Sequence, residues 1–235
     1  MKGKLYLIPT TLGDFNTIDR VLPTYNMEVS SRLTVFVVEN IRTSRRFLKK
    51  AGYPLPIERV TFIELGKHSS ESQAIASFKQ AIAKQPVGLL SEAGTPCVAD
   101  PGALIVSVAH ELNVEVVPLT GPNSIILALM ASGFNGQNFT FHGYLPKDRK
   151  QLSEKIKSLE NKARRENQTQ IFIETPFRNE QLFKTLQRSC HPATKLSVAV
   201  NLTLPDQMIR TLTIGQWREQ SVAFNKKPAV FLLSG

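Results

Sequence analysis

Three short segments rich in glycine, proline and hydroxyl side chains have the composition of a ligand-binding site. They cover residues 9–14, 91–102 and 119–124, and each follows a run of apolar, often β-branched residues that predicts a buried strand. Parallel strands end at one edge of a sheet, where open α/β folds bind their ligands. The helix start at residues 121–124 would offer backbone amides to a carboxylate or phosphate. Together the segments predict one ligand-binding crevice.

The longest segment reads Ser-Glu-Ala-Gly-Thr-Pro-Cys-Val-Ala-Asp-Pro-Gly. Gly94 removes a side chain at a point where a ligand could approach the backbone. Asp100 is expected to cap a helix whose first residue is Pro101, since aspartate is favoured at the N-cap and proline at the first helical position. A tight structural connection between a strand and a helix is the alternative interpretation.

The familiar signatures of nucleotide, metal and hydrolase sites do not occur in the sequence. Neither G-x-G-x-x-G nor G-x-x-x-x-G-K-[ST] is found, so a dinucleotide-binding turn and a phosphate loop of these types are not supported. H-E-x-x-H and G-x-S-x-G are missing as well. The two cysteines, Cys97 and Cys190, stand far apart without a nearby set of ligands. We therefore expect neither a metal site nor a disulfide.

Alternating strands and helices must position these segments. In the first half, strands are predicted at residues 5–9, 33–39, 59–64, 87–91 and 114–118, and helices at 17–25, 43–51, 70–83 and 103–112. In the second half, helices are predicted at 122–132, 149–165 and 179–189, and strands at 139–141, 169–174, 195–201, 206–213 and 228–233. The alternation is typical of an α/β fold, and the short turns between the last strands predict an antiparallel or mixed portion. We expect two domains, 1–118 and 119–235.

The chain is basic, and its charge is unevenly distributed. It contains 29 lysines and arginines and 19 aspartates and glutamates, a net charge of +10 that favours a polyanionic partner. Residues 1–117 hold 13 basic and 11 acidic side chains, whereas residues 118–235 hold 16 and 8. Hydrophobic residues make up 42% of the chain, and no apolar run approaches the roughly 18 residues of a membrane span. We expect a cytoplasmic protein without membrane contact.

The order and spacing of the three segments resemble the tetrapyrrole-methylase superfamily of S-adenosylmethionine-dependent methyltransferases. The likeness extends to residues 143–147, 171–178 and 228–235, and so covers nearly the whole chain. It is strongest to the bacterial enzymes that methylate a ribose 2′-hydroxyl of a cytidine in small-subunit (16S) ribosomal RNA. The corrin branch usually has Gly-Pro-Gly-Asp after the first strand, where this chain has Pro-Thr-Thr-Leu-Gly-Asp at residues 9–14.

The resemblance implies a homodimer whose subunits have two α/β domains, with S-adenosylmethionine bound in the cleft between them, as in class III methyltransferases. Carried over to this sequence, it assigns contacts with the methyl donor to eleven residues of the three segments. They are Pro9, Thr10, Glu92, Ala93, Gly94, Thr95, Pro96, Gly121, Pro122, Asn123 and Ser124.

The chain departs from the ribosomal RNA branch at two places. It has Glu39-Asn40-Ile41-Arg42 where that branch typically has Glu-Asp-Thr-Arg, and Val-Asn-Leu-Thr-Leu at residues 200–204 where it has Arg-Glu-Leu-Thr-Lys. A ribose hydroxyl must lose its proton, which requires a base or stabilising cations. Glu39 is our candidate for the base and Arg42 for orienting phosphate, with Glu174 and Arg178 as a second pair. An ion pair that caps the following helix is the alternative for each pair.

The basic helix and the residues before it are predicted to bind RNA phosphates through Lys147, Arg149, Lys150, Lys155 and Lys157. A solvated helix face is the alternative. Aromatic residues near strand ends, Phe141, Tyr144 and Phe177, are placed where they could stack on bases. Methylation of ribosomal RNA in the small subunit is thus the first functional hypothesis. Methylation of a tetrapyrrole or other small acidic molecule, and a catalytically idle RNA-binding homologue, are the alternatives.

Overall fold

The structure is a computed structural model that describes residues 3–66, 70–224 and 226–235. The chain divides into two compact units between Asn123 and Ser124. In the described ranges, no helix is both long and apolar enough to cross a membrane. The same residues contain no group of three histidine, cysteine, aspartate or glutamate side chains that could hold a metal ion.

The first unit is built on a five-stranded parallel sheet. Its strands are β1 (Leu5–Ile8), β2 (Val35–Val38), β3 (Thr61–Glu64), β4 (Val87–Leu90) and β5 (Val116–Pro118). The sheet order is β3-β2-β4-β1-β5, and all four neighbouring pairs are parallel. Every residue of β2 and β4 is buried, as expected for central strands covered on both faces.

Helices cover both faces of this sheet. They are α1 (Ile18–Val21), α2 (Thr24–Ser30), α3 (Ile41–Lys50), α4 (Glu71–Ile82) and α5 (Ala103–Glu111), with 3-10 turns at Phe15–Thr17 and Ile57–Arg59. Side chains of α1 to α3 share one hydrophobic cluster with Phe36, while those of α4 and α5 share another with Val35 and Val37. The connections after β1 and β2 thus run to one face, and the connection after β4 runs to the other. Such a reversal opens a crevice at the carboxyl end of β4.

The predicted helix at residues 17–25 is interrupted. Helix α1 ends at Val21, and Leu22 is extended, with φ −115° and ψ 131°. Pro23 follows, and a proline disfavours helical conformation in the residue before it. Helix α2 therefore begins separately at Thr24.

The second unit has a mixed five-stranded sheet. Its strands are β6 (Phe139–Tyr144), β7 (Thr169–Glu174), β8 (Lys195–Val200), β9 (Met208–Thr213) and β10 (Ala229–Ser234). In the order β6-β7-β10-β8-β9, only β6 and β7 are parallel to each other, and the remaining neighbours pair antiparallel. The α/β fold class predicted from the sequence is confirmed.

The helices described in the second unit are α6 (Ser124–Ser132), α7 (Arg149–Glu166), α8 (Asn179–Ser189) and α9 (Ile214–Arg218). Helices α7 to α9 pack on a core that includes Phe172, Phe231 and the fully buried Trp217. The short helix α9 was not predicted. It begins at Thr213, which forms a capping box with Gln216, and this Thr-x-x-Gln signal is present in the sequence.

Candidate functional site

Direct backbone hydrogen bonds join the segments that follow β1 and β4. Thr10 N donates to the Gly94 carbonyl at 3.0 Å, and Gly94 N donates in return to the Thr11 carbonyl at 3.3 Å. Ser91 N, one residue after the end of β4, donates to the carbonyl of Ile8, the last residue of β1, at 3.2 Å. The two segments therefore form one rigid wall at the carboxyl edge of the sheet.

The segment after β5 is attached to the same wall. The Asn123 side-chain amide donates to Thr95 Oγ1 at 2.6 Å. The Asn26 side-chain amide of α2 donates to the Thr120 carbonyl at 2.8 Å. These bonds keep the segment up to Asn123 with the first unit, five residues beyond the domain boundary predicted at 118. Ser124 is the first residue of α6 in the second unit.

The reason for the glycine at position 94 differs from the one expected. Gly94 has a φ of +74°, a conformation that favours glycine. A Cβ atom there would lie 2.8 Å from Leu12 Cδ2 and 2.9 Å from the Pro122 carbonyl oxygen. The space into which a side chain at position 94 would project is thus filled by the protein itself, and Gly94 allows the three segments to pack together. The predicted contact of Gly94 with a methyl donor stays a prediction.

The accessible part of the wall is small. Thr10 is 2% exposed, and Pro9, Pro96 and Pro122 are also buried. Glu92 and Ala93 are exposed, and the Ala93 amide donates to the buried Ser91 hydroxyl at 3.1 Å. Thr95, Gly121, Asn123 and Ser124 are partly exposed. Of the predicted donor contacts in the first unit, the five exposed or partly exposed ones offer surface to a ligand, whereas the buried ones shape the wall behind them.

The same segment contains unusual backbone conformations after Gly94. Cys97 and Ala99 have φ values of 67° and 59°, which residues with a Cβ atom seldom adopt. Asp100 accepts a hydrogen bond from Gly102 N at 2.7 Å. Helix α5 begins only at Ala103, so the predictions of Asp100 as its N-cap and Pro101 as its first residue are wrong. The Asp100 carboxylate stabilises the turn that comes before α5.

Glu39, our candidate base, lies beside acidic residues. Burial, a hydrogen bond with Asp100, and the negative charges of Asp100 and Glu92 together raise the pKa of Glu39 to about 8. At neutral pH, Glu39 therefore largely keeps its proton, which lies in the hydrogen bond between the Glu39 and Asp100 carboxyl groups. The two carboxyl groups meet because β2 and β4 are neighbours in the sheet. A carboxyl group with a pKa close to neutral is well placed to exchange a proton.

The residues that follow Glu39 serve helix α3. Asn40 is the N-cap of the helix, and its side-chain oxygen accepts a hydrogen bond from Thr43 N at 3.1 Å. Asparagine and aspartate cap helices about equally well, so the departure from Asp at this position preserves the cap. Arg42 is exposed on the first turn, and no ion pair joins it to Glu39 in the described part of the chain.

Glu174 and Arg178, the second predicted pair, lie in the second unit and contact each other. Arg178 Nη2 is 2.8 Å from Glu174 Oε2, with the two side chains 26% and 2% exposed. The other carboxylate oxygen, Oε1, accepts a hydrogen bond from Thr175 N at 2.7 Å. Both Glu174 oxygens are thus engaged, and the two residues form an ion pair, but no side-chain hydrogen bond caps α8 at its N-cap, Arg178. The catalytic role of this pair stays a prediction.

The predicted RNA-binding residues occupy several sides of α7. Asp148 caps the helix by accepting hydrogen bonds from the amides of residues 150 and 151, both at 3.0 Å. Arg149 borders a groove between α7 and α8. Lys155 lies close enough to His142 on β6 to help lower the pKa of that imidazole, mainly an effect of burial. Lys150 and Lys157, seven positions apart, share an exposed side, and Lys147 is exposed just before the helix.

The segment that departs from the family at residues 200–204 connects β8 to β9. Asn201 and Thr203 have φ values of 49° and 71°. The Asn201 amide donates to both Asp206 carboxylate oxygens at 2.9 and 3.0 Å, and Lys227 Nζ lies 2.7 Å from Asp206 Oδ2. These contacts lower the pKa of Asp206, with the Lys227 hydrogen bond as the largest cause. Polar side chains therefore still organise this loop.

Comparisons with known proteins agree with the fold. The family model described as Tetrapyrrole (Corrin/Porphyrin) Methylases matches residues 29–217. A Ribosomal RNA small subunit methyltransferase I from Buchnera aphidicola subsp. Schizaphis graminum is 27% identical over 99% of this chain and 79% of its own length. The protein of the same name from Haemophilus influenzae is 30% identical over 93% of this chain and 73% of its own.

A solved structure shares the architecture. The uroporphyrin-III C-methyl transferase of Thermus thermophilus, in complex with S-adenyl homocysteine, aligns with a TM-score of 0.56. The alignment covers 99% of this chain and 97% of that chain at 17% sequence identity. At this identity the likeness concerns the fold alone.

Proposed function

The chain belongs to the tetrapyrrole (corrin/porphyrin) methylase family, and on that basis we propose that it is an S-adenosylmethionine-dependent methyltransferase acting on small-subunit ribosomal RNA. The acceptor we propose is a ribose 2′-hydroxyl. The observation that carries the proposal is the 30% identity, over 93% of this chain, to the ribosomal RNA small subunit methyltransferase I of Haemophilus influenzae. We further propose that the protein works as a homodimer in the cytoplasm.

We propose that the methyl donor binds at the wall formed by the three segments of the first unit. S-adenosylmethionine supplies a methyl group carried on a positively charged sulfur. The residues present fit such a ligand, because Glu92 brings an exposed carboxylate and the adjoining Ala93 has only a small side chain. The bonds between Thr10 and Gly94 fix the wall before any ligand arrives, which reduces the entropy lost on binding.

Glu39 is proposed as the group that receives the proton of the acceptor hydroxyl. Its carboxyl group must first be deprotonated, and because its pKa is about 8 that fraction increases as the pH rises toward 8. Asp100 accepts the hydrogen bond from the protonated form and so holds the carboxyl group in place. Asp100 is then a positioning residue, which the sequence alone did not assign.

Calorimetric titration with S-adenosylmethionine tests the donor site. Replacing Ala93 with leucine adds bulk to an exposed position of the wall, and we expect donor affinity to fall by about tenfold or more, equivalent to about 1.4 kcal/mol. Ala76→Leu, at an exposed position on α4, is the matched control and should bind as the wild type does. Equal affinity of both variants, or a wild-type protein that does not bind S-adenosylmethionine, would remove this assignment.

Mapping of methyl groups on ribosomal RNA tests the acceptor. Small subunits from a strain that lacks the protein are incubated with the purified protein and S-adenosylmethionine, and the RNA is then analysed by mass spectrometry. We expect one new 2′-O-methyl group. An unchanged RNA would support the idle RNA-binding homologue, while methyl transfer to a tetrapyrrole supplied in a parallel reaction would support the small-molecule alternative. The salt dependence of binding also distinguishes RNA from a small acidic molecule, because RNA affinity falls steeply with ionic strength.

A further inference from the structure

A groove on the second unit combines an exposed aromatic ring with several cations. It lies between α7 and α8, has a volume of about 670 Å³, and is bordered by Arg149, Phe177, Lys184 and Arg188. Phe177 is 76% exposed, which makes it the most exposed large hydrophobic residue among those described. An apolar ring so open to water gains little for the stability of the fold.

Charge in this groove is predominantly positive. Glu180 is the one carboxylate on its border, and Lys184 Nζ pairs with its Oε1 at 2.6 Å. The Arg149 and Arg188 guanidiniums remain without an ion pair in the part of the chain that the structure describes. A second depression adjoins the groove and is bordered by Lys184, Gln187, Arg188 and Arg218. The positive surface thus continues along α8.

The position of the ring relative to these cations is suited to a nucleotide. Lys226 Nζ lies 5.4 Å from the centre of the Phe177 ring, in a cation–π contact. Arginine on the first turn of α7 opposes the helix dipole, so Arg149 is not placed there for helix stability. Unpaired bases stack on exposed aromatic rings, while arginine and lysine neutralise the adjoining phosphates. A duplex would not offer an unstacked base to such a ring.

We propose that this groove binds a single-stranded segment of the acceptor RNA, with one base stacked on Phe177 and the flanking phosphates held by Arg149 and Arg188. The proposal rests on the proposed function, since it presumes that RNA is the partner. The proposal adds a site for stacking of one base, and it extends the predicted RNA-binding surface from the basic residues of α7 to α8. The hydroxyls of Ser153 on α7 and Ser189 on α8 are hydrogen-bonded to each other at 3.0 Å and join the two helices along the groove.

Fluorescence anisotropy with a labelled single-stranded RNA of about a dozen nucleotides tests the stacking. Phe177→Ala should weaken binding by about five- to a hundredfold, the range found for loss of one base stack. Phe177→Leu keeps an apolar side chain but no aromatic face, and should bind almost as weakly. Lys79→Gln, on α4 of the first unit, is the charge control and should leave affinity unchanged. Wild-type affinity in Phe177→Leu would overturn the stacking.

Abasic RNA makes the test independent of any general effect of the substitution. The wild type should bind an oligonucleotide with intact bases more tightly than one with abasic sites, and Phe177→Ala should lose that preference. Arg188→Gln should lower affinity for both RNAs and reduce the slope of log affinity against log salt by about 0.7. An equal penalty of Phe177→Ala on both RNAs would overturn the proposal.

Failure of this inference is distinguishable from failure of the proposed function. If Phe177→Ala and Arg188→Gln methylate small subunits at the wild-type rate, the groove is not the RNA site and the enzyme assignment stands. If the groove binds RNA in these tests but no methyl group is transferred, the groove stands and the enzyme assignment falls. If the variants keep RNA affinity but lose association with whole subunits, the groove binds a protein, which overturns the inference.

Discussion

The wall of the first unit and the groove of the second are opposite kinds of surface. In the wall, backbone and side-chain hydrogen bonds join the three motif segments, and Thr10, Gly94 and Pro96 are buried. In the groove, Phe177, which lies just before α8, and Arg188, which lies on α8, border an open surface. A rigid site whose three segments contain carboxylates but no lysine or arginine suits a small ligand that carries a positive charge, whereas an open cationic site suits a polyanion. Substitutions in the two regions should therefore fail in different ways.

The largest effect is expected at Gly94. Gly94→Ala forces an alanine into a φ of +74° and sets its Cβ against Leu12 and the Pro122 carbonyl. We expect the free energy of unfolding to fall by about 2–4 kcal/mol, measured by urea denaturation. Donor affinity should fall with it, because the same three segments form the wall.

Gly52 provides the matched control for this substitution. Its φ is +75°, but no atom lies within 4 Å of where its Cβ would be. Gly52→Ala should therefore cost only about 1–2 kcal/mol, the penalty of the left-handed conformation. If the two variants are equally stable, the packing at Gly94 contributes nothing, and the wall is less rigid than the hydrogen bonds indicate.

Much of the wall was predictable from the sequence because it follows from local patterns. Runs rich in apolar residues located the strands of both described sheets, and the strand ends placed the three motif segments at one edge of the first sheet. What fills the space at Gly94 was not predictable, since a glycine shows that a side chain is missing but not which neighbours replace it. Leu12 and Pro122 are distant in sequence and arrive there only through the fold.

The partner of Glu39 could not be read from the sequence for a similar reason. Glu39 follows β2 and Asp100 follows β4, and they meet only because the sheet order places β4 beside β2. Sequence spacing directed attention to Arg42, three residues away, which instead lies exposed on α3. Phe177 was visible as an aromatic residue at a strand end, but the cations of α8 that surround it depend on how α7 and α8 pack.

An intermediate effect is expected at Glu39, within the first unit. Its pKa in the folded protein, about 8, lies above the ordinary value of 4.5, so the folded state binds the proton more tightly than the unfolded state does. Stability from this group is therefore complete below pH 4.5 and is lost as the pH rises to about 8. Glu39→Gln imitates the protonated form and should remove this loss.

Melting temperatures below and above the pKa of Glu39 provide the measurement. At pH 9, Glu39→Gln should melt about 2–4 °C above the wild type, equivalent to about 1 kcal/mol once the partial exposure of the site is allowed for. The difference should shrink at pH 5. Glu58→Gln, an exposed carboxylate of the same unit, should show no such trend. Methyl transfer by Glu39→Gln should be reduced at every pH, and a fully active variant would remove Glu39 as the base.

The smallest effect is expected from the exposed side of α7, away from the groove. Lys150→Gln combined with Lys157→Gln removes two charges that share one exposed side of the helix. If both residues contact phosphates, the slope of log affinity against log salt should decrease by about 1.4, with a modest loss of RNA affinity at moderate salt.

The preference of the wild type for intact over abasic RNA should persist in this double variant, because Phe177 is untouched. Donor affinity measured by calorimetry should also persist. A fall in donor affinity would contradict the separation of the donor-binding wall from the cationic surface, and an unchanged salt slope would make this side of α7 an ordinary solvated face.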